Sequence, residues 1–299
     1  MSAVTESAAA RERTPAAAPP PARKRRRDAD RPRFLTAVVA VVMLFMFLPI
    51  VVVIVYSFNA SKSLSTFDGF SFRWYEKAFD DEGLRSSLLV SVEIAAIATF
   101  FSAVVGTMLA FGLERGRRAV ARANEAALIV RLLSPETATA VALLLFFTQI
   151  GIPLSRTTIV LGHIALCVPF VTVVVRSRLA GLNPEVEEAA MDLGASRMGA
   201  LRLVALPLLW PAIAAASMLA FVLSFDDFIT TLFTSGNGVA PLPLRIYSAL
   251  RFGVTPVVNA IGVLMLLIAL LAAGSAWLLM RVARRRSSPS PSPSKEMTP

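Results

Sequence analysis

A chain of 299 residues with 56% hydrophobic and only 17% charged residues is too apolar for a soluble domain of this size, in which about a quarter of the residues carry charge. Its net charge of +10 sits in clusters beside apolar runs, not on one basic folded face, which excludes a nucleic-acid partner and points to a bilayer. The single cysteine, Cys167, excludes an intramolecular disulfide and a cysteine-based metal cluster, and within its apolar run it reads as a small buried side chain.

Residues 1–33 are rich in Ala, Pro and Arg, a composition that buries too little apolar area to fold, and are expected to form a disordered basic cytoplasmic tail. The run Arg23-Lys24-Arg25-Arg26-Arg27 serves as a topology signal and would also attract anionic membrane lipid by about 1 kcal/mol per charge. The apolar run behind it is longer than a signal-peptide core, so no cleaved leader is expected. A bilayer core takes about 20 apolar residues per helix. Six stretches of residues 34–280 are read as spans: 34–61, 86–113, 132–155, the shorter 157–175, 208–231 and 252–280.

In chain order, the first span is uncharged, and an external loop follows with Trp74 and Tyr75 on an expected short interfacial helix. An indole face attracts an ammonium by about 0.5 to 2 kcal/mol, which suits cation handling at a pore mouth; aromatic anchoring at the bilayer surface is the competing reading. The second span carries only Glu93 and the third only Glu136, which follows Ser134-Pro135. The fourth holds the only histidine, His163, expected in an interhelical hydrogen bond. The fifth carries Asp226 and Asp227, and residues 281–299 form a second expected disordered cytoplasmic tail. With the N terminus placed in the cytoplasm, 23 of the 30 Lys and Arg residues fall inside and seven outside. By the positive-inside rule both termini and the polar loop around 176–207 are therefore cytoplasmic.

Within that loop, residues 183–207 spell two short helices. Asn183 can cap a helix beginning at Pro184, and Glu185, Glu187 and Glu188 put negative charge in its first turns, where the helix dipole favours it. Gly194 stops it, Ser196 can cap a second, and Pro207 and Pro211 mark the start of the next span. A polar segment with its own caps between two spans is shaped to grip a protein at the membrane surface. The chain lacks Gly-x-x-x-x-Gly-Lys-Ser/Thr and any Gly-Lys pair, so it has no phosphate-cradling loop.

The spacing Glu188-Ala189-Ala190, Gly194, Val204, Leu206-Pro207 resembles the signature of the transmembrane subunits of bacterial ATP-binding-cassette (ABC) importers, with Val204 where the family has Ile. The resemblance implies an all-α integral membrane protein of the type I importer permease fold, with six transmembrane helices and a cytoplasmic two-helix coupling loop. It also implies that the loop docks in a cleft of the ATPase subunit, with Glu187, Glu188, Ala189, Ala190, Asp192, Gly194, Leu206 and Pro207 as coupling residues. A narrower resemblance extends over about residues 34–280. Tyr56-Ser57-Phe58-Asn59, Gly69-Phe70 with Trp74-Tyr75, Ser134-Pro135-Glu136, residues 163–170, Ser224-Phe225-Asp226-Asp227 and Leu242-Pro243-Leu244-Arg245-Ile246-Tyr247-Ser248 are similar to the polyamine (spermidine/putrescine) importer permeases. That implies a bacterial inner-membrane subunit paired with a second, homologous permease, two ABC ATPase subunits and an extracytoplasmic polyamine-binding protein. No cofactor is expected on this chain, with ATP and Mg bound by the ATPase subunits.

The residues support a cationic cargo independently. A carboxylate at a helix centre costs about 2.5 to 3.5 kcal/mol on insertion scales, so an intramembrane acid is a pathway candidate. Glu93, Glu136, Asp226 and Asp227 have no Lys or Arg within their own spans, which leaves a demand that a polyamine ammonium would meet. Asp226 and Asp227, neighbours on an expected helix, would point about 100° apart, so one is expected to line the path and the other to meet the partner permease or a backbone group. Glu136 reads either as a gate residue or as a hydrogen-bond partner of the kink at Pro135, and Glu93 either as a path residue or as a snorkelling side chain. An importer of another cationic or neutral solute fits the loop equally well. An ion-driven secondary transporter would carry acids too, but not the 188–207 signature and usually not so few spans. A passive anchor has no use for the acids, and no nucleophile with a base or metal-ligand cluster suggests an enzyme.

Overall fold

The computed structural model describes residues 33–62, 66–251, 253 and 255–286, so the expected tails lie outside the described residues except at Arg33 and 281–286. The described residues contain helices and one isolated antiparallel bridge, Asn59 to Phe70, and no strand. The helices are α1 (Arg33–Ser57), α2 (Arg73–Asp80), α3 (Glu82–Arg115), α4 (Arg118–Leu133), α5 (Glu136–Gln149), α6 (Arg156–Ala180), α7 (Glu185–Asp192), α8 (Arg197–Ala200), α9 (Leu206–Phe225), α10 (Ile229–Thr234), α11 (Leu242–Arg251) and α12 (Pro256–Arg286). A π-helical turn, Leu201–Ala205, joins α8 to α9. The chain divides into two compact units, Met1–Pro49 and Ile50–Pro299, and all the packing described here belongs to the second. The last helix continues beyond Met280 to Arg286, into the segment expected to be disordered.

Five helices are long and apolar enough to cross a bilayer, and a sixth crossing needs α4 and α5 together. This corrects the third expected span. Residues 132–155 are not one helix: α4 and α5 meet at 110°. Pro135 has no N–H to donate and pushes Ser134 out of the helical region, to ψ 134°. The 14 residues of α5 reach only about 21 Å, short of a bilayer core of about 30 Å. The fifth span is corrected as well, because α9 ends at Phe225 and the chain restarts as the short α10.

The packed centre is α3, α6 and α9. Residues of one face of α3 (Ser91, Ala95, Ala98, Ser102, Gly106 and Ala110) are small and buried, which lets backbones approach where lipid supplies no hydrophobic drive. Gly106 shows how close: a β-carbon there would stand 2.7 Å from Val171 Cγ1. Beside it Ala110, Cys167, Val171, Val175, Ala216 and Ala220 form one apolar cluster, so Cys167 is the buried side chain its sequence context suggests.

Candidate functional site

The break after α9 is built by its own acids. Asp226 ends the helix, its N–H still donating to Val222 O at 3.1 Å. Asp227 then serves the next helix: its carboxylate accepts from the N–H groups of Thr231 (2.8 Å) and Thr230 (3.3 Å), donors with no partner inside α10. The Asp227 side chain is fully buried, and its Oδ2 lies 3.1 Å from His163 Nε2. His163 Nδ1 lies 2.7 Å from Ser224 Oγ, and Nε2 is also 3.0 Å from Thr231 Oγ1. With Nε2 donating toward the carboxylate, Nδ1 accepts from the Ser224 hydroxyl, and a neutral ring is satisfied at both nitrogens. Thus α6, the end of α9 and α10 are tied through one imidazole, the interhelical bond expected of His163. A glycine one residue before it, Gly162, brings α10 close; a β-carbon there would stand 2.9 Å from Thr230 Cγ2.

The two aspartates therefore do not diverge on a shared helix, since the helix stops between them. Asp227 meets backbone groups, as expected for one of the pair, whereas Asp226 is exposed on this chain and its carboxylate makes no hydrogen bond or ion pair among the described residues. Glu136, also exposed, starts α5 just after the Pro135 bend, and α5 packs on α10. Its electrostatic neighbours are Asp227 and Arg131. Two helix breaks thus meet around a small set of acids, two open and one sealed.

The premise that all four acids lack a resident cation is corrected. Glu93 pairs with Arg156, on the next long helix, at 3.4 Å, both side chains more than half exposed. Asp227 has His163. Arg131, near the end of α4, lies among the charges that act on Glu136 and Asp227, and its Nε is buried without a hydrogen-bond partner. Arg131, Arg156 and Thr231 were not singled out in the sequence as site residues, and Ser224 entered only as part of the Ser224-Phe225-Asp226-Asp227 motif. Only the breaker Ser134-Pro135, three residues after Arg131, hinted that it would stand beside Glu136.

The aromatic pair Trp74 and Tyr75 is engaged by its own loop. Trp74 is 4% exposed, and its indole N–H donates to Asn59 O at 2.6 Å. Arg73 and Lys77 already lie over its ring, 4.5 and 5.3 Å from the centroid. Tyr75 Oη is 2.7 Å from Ser57 Oγ, and its ring packs on Phe58 within a cluster that includes Phe70 and Phe72. Both residues do lie on a short helix, α2, but they fasten it to the end of α1.

At the opposite end, the coupling segment forms as two helices. Asn183 Oδ1 accepts from Glu185 N at 3.1 Å, and α7 begins one residue after the expected Pro184. Gly194 has φ +94°, a value that favours glycine. Ser196 Oγ accepts from Gly199 N at 3.1 Å, capping α8. Instead of a helix that ends at Pro207, α8 runs on through the π-turn into α9, with Leu206 and Pro207 opening that span. Glu188, Ala189, Asp192 and Gly194 are exposed, Ala190 is half-buried, and Leu193 is 90% and Leu203 76% exposed. Glu187 differs from its neighbours: its carboxylate makes a two-pronged ion pair with Arg115, the last residue of α3. Both residues line a cavity of about 630 Å³, together with Phe111, Leu179, Met191 and Met198 among others.

No family model matches the sequence. The chain is 39% identical over 214 residues to the spermidine/putrescine transport system permease protein PotC of Haemophilus influenzae, covering 72% of this chain and 83% of that protein. It is 38% identical over 242 residues to the putrescine transport system permease protein PotI of Escherichia coli (77% and 85% covered), and 36% over 225 residues to PotC of E. coli (75% and 85%). Among solved structures it resembles a bacterial ABC transporter that imports alginate, with TM-score 0.67, 14% identity, and 86% and 95% of the two chains covered. A methionine ABC transporter gives TM-score 0.56 at 19% identity, covering 68% and 99%. The structural likenesses carry the fold and the relatives carry the family: this chain belongs to the spermidine/putrescine permease proteins, the membrane-spanning, non-catalytic subunits of ABC importers.

Proposed function

We propose that this subunit forms half of a polyamine path with a second, homologous permease in the bacterial inner membrane, both termini cytoplasmic. The observation that carries the cargo is the pair of open carboxylates, Asp226 and Glu136, at two helix breaks in an otherwise apolar bundle. Carboxylates at such depth are costly unless a cation visits them. A flexible diamine or triamine brings ammonium groups that can step from one acid to the next, and the named relatives act on spermidine and putrescine. Asp227, Trp74 and Tyr75 hold the walls of this path, and Glu93 with Arg156 stands at its outer end.

The drive comes from outside the chain. The exposed stretch Glu188, Ala189, Asp192, Leu193 and Gly194 presents two carboxylates and apolar side chains to two ABC ATPase subunits, which bind ATP and Mg, and an extracytoplasmic polyamine-binding protein delivers cargo to the outer face. The segment 183–207 couples hydrolysis to opening.

The test is ATP-dependent uptake of labelled spermidine and putrescine into proteoliposomes holding this chain with its cognate subunits. Saturable uptake, competed by polyamines and not by amino acids or sugars, is the expected result. ATP hydrolysis without polyamine movement would leave the coupling standing and overturn the cargo.

A further inference from the structure

The end of α3 places two opposite charges side by side, and each has a partner on a different element. Glu114 accepts from Arg176 of α6 at 3.3 Å, and Arg176 also reaches Glu125 of α4 at 3.0 Å. Arg115 turns the other way, to both oxygens of Glu187 on α7, while its guanidinium also stands 5.1 Å from the Phe111 ring centroid. The position suits a cation, because Arg115 closes the negative end of the α3 dipole.

What makes this pair more than a surface ion pair is the state of α7. No residue of α7 is buried, and its packing is with α8 and the π-turn, both within the same cytoplasmic segment. Apolar packing therefore does not hold α7 against the bundle. The cavity of about 630 Å³ lies between α7 and the bundle, with Arg115 and Glu187 among the residues that line it. The Glu187 side chain is only 14% exposed although the rest of α7's first turns is open. A two-pronged guanidinium–carboxylate contact is directional, so it resists rotation as well as separation.

We infer that Arg115 and Glu187 form the strut by which displacement of the coupling segment reaches α3, and through Glu114 and Arg176 reaches α6 and α4; Arg115 is a positioning residue, distant from the cargo. This rests on the proposal that 183–207 docks the ATPase, and it adds the direction in which force leaves that segment. A push on α7 reaches α9 through α8 and the π-turn, and it reaches α3 directly through this ion pair, so α3 moves with it. Since α3 is the most extensively packed helix of the central trio, its motion is shared with α6 and α9.

The experiment is performed on the reconstituted full complex, measuring polyamine molecules imported per ATP hydrolysed and the amount of ATPase subunit that co-purifies. Arg115→Gln and Glu187→Gln are each expected to lower the ratio by about five-fold or more, the low end of an allosteric coupling, with normal co-purification. The exchanged pair, Arg115→Glu with Glu187→Arg, is expected to recover most of the ratio. An unchanged ratio in both single variants overturns the strut, and so does a loss that the exchange fails to recover, since the two residues would then act separately. Glu188→Arg separates the two ideas. If the ATPase stays bound in that variant, the docking segment is misassigned and the strut falls with it. If the ATPase dissociates there while Arg115→Gln remains fully coupled, only the strut is lost.

Discussion

Replacing Asp227 with Ala should damage the fold more than the path, and the size of the effect can be worked from its contacts. The carboxylate is fully buried and is the acceptor for the Thr230 and Thr231 N–H groups and the neighbour of His163 Nε2. Each buried donor left unpaired costs about 1–3 kcal/mol, and the neutral His163 ring adds a third such donor to the two backbone N–H groups. These overlap, so a total of about 3–5 kcal/mol is expected for Asp227→Ala. Asp227→Asn keeps one acceptor oxygen for Thr231 and should lose about half as much. Asp226→Asn removes a carboxylate with no partner on this chain, so it should leave stability within about 0.5 kcal/mol while lowering uptake. The assay is a thermal melt of the purified complex in detergent beside an uptake measurement in proteoliposomes. Asp227→Ala melting with the wild type would refute the reasoning, because a sealed carboxylate with three donors cannot be removed without consequence.

Three further outcomes follow from the packing. Gly106→Leu must displace Val171, whose Cβ and Cγ1 lie 2.8 and 2.7 Å from the new β-carbon, and should cost about 1–3 kcal/mol, read as reduced yield and melting temperature of the complex. Trp74→Phe keeps an aromatic ring but leaves the Asn59 carbonyl without its indole donor; limited proteolysis between residues 58 and 81 should accelerate while the KM for polyamine stays unchanged. Glu93→Gln breaks a pair with both members more than half exposed, so a stability change below about 1 kcal/mol is expected, and a large rise in KM would place Glu93 in the path.

The hydrophobic lengths and the Lys/Arg asymmetry made the membrane class legible, and the cap residues Asn183 and Ser196, with Gly194, made the coupling segment legible almost to the residue. Those signals are local: a cap or a breaker acts on its own chain neighbours. Pro135 was equally local, yet the 110° bend it permits was not, because the angle depends on what α5 packs against. The acids misled for a related reason. Charge counting along one span treats each carboxylate as alone, whereas Arg156 is 63 residues from Glu93 and His163 is 64 residues from Asp227 in the sequence. Partners brought together by packing leave no periodic trace. Trp74 shows the same limit: its side chain fits an interfacial anchor, and only the folded loop reveals that the indole N–H is taken by Asn59 O and that Arg73 and Lys77 already lie over the ring.

That outer loop has a consequence of its own. Asn59 holds it from within: its amide nitrogen donates to Thr66 O at 2.6 Å, and its side-chain oxygen accepts from Ser61 N at 3.2 Å and Asp68 N at 3.0 Å. In the same loop the Phe58 and Phe70 rings stack with centroids 4.7 Å apart. Chain segments on a protein's rim usually keep much of their freedom, and a partner that settles on them must take that freedom away, at about 0.5–1.5 kcal/mol for each side chain immobilised. Here, for residues 58–62 and 66–72, most of that ordering was completed when the subunit folded. A protein landing on those residues meets groups already in place, so a brief, repeated encounter loses little of their conformational entropy on arrival and regains little on departure.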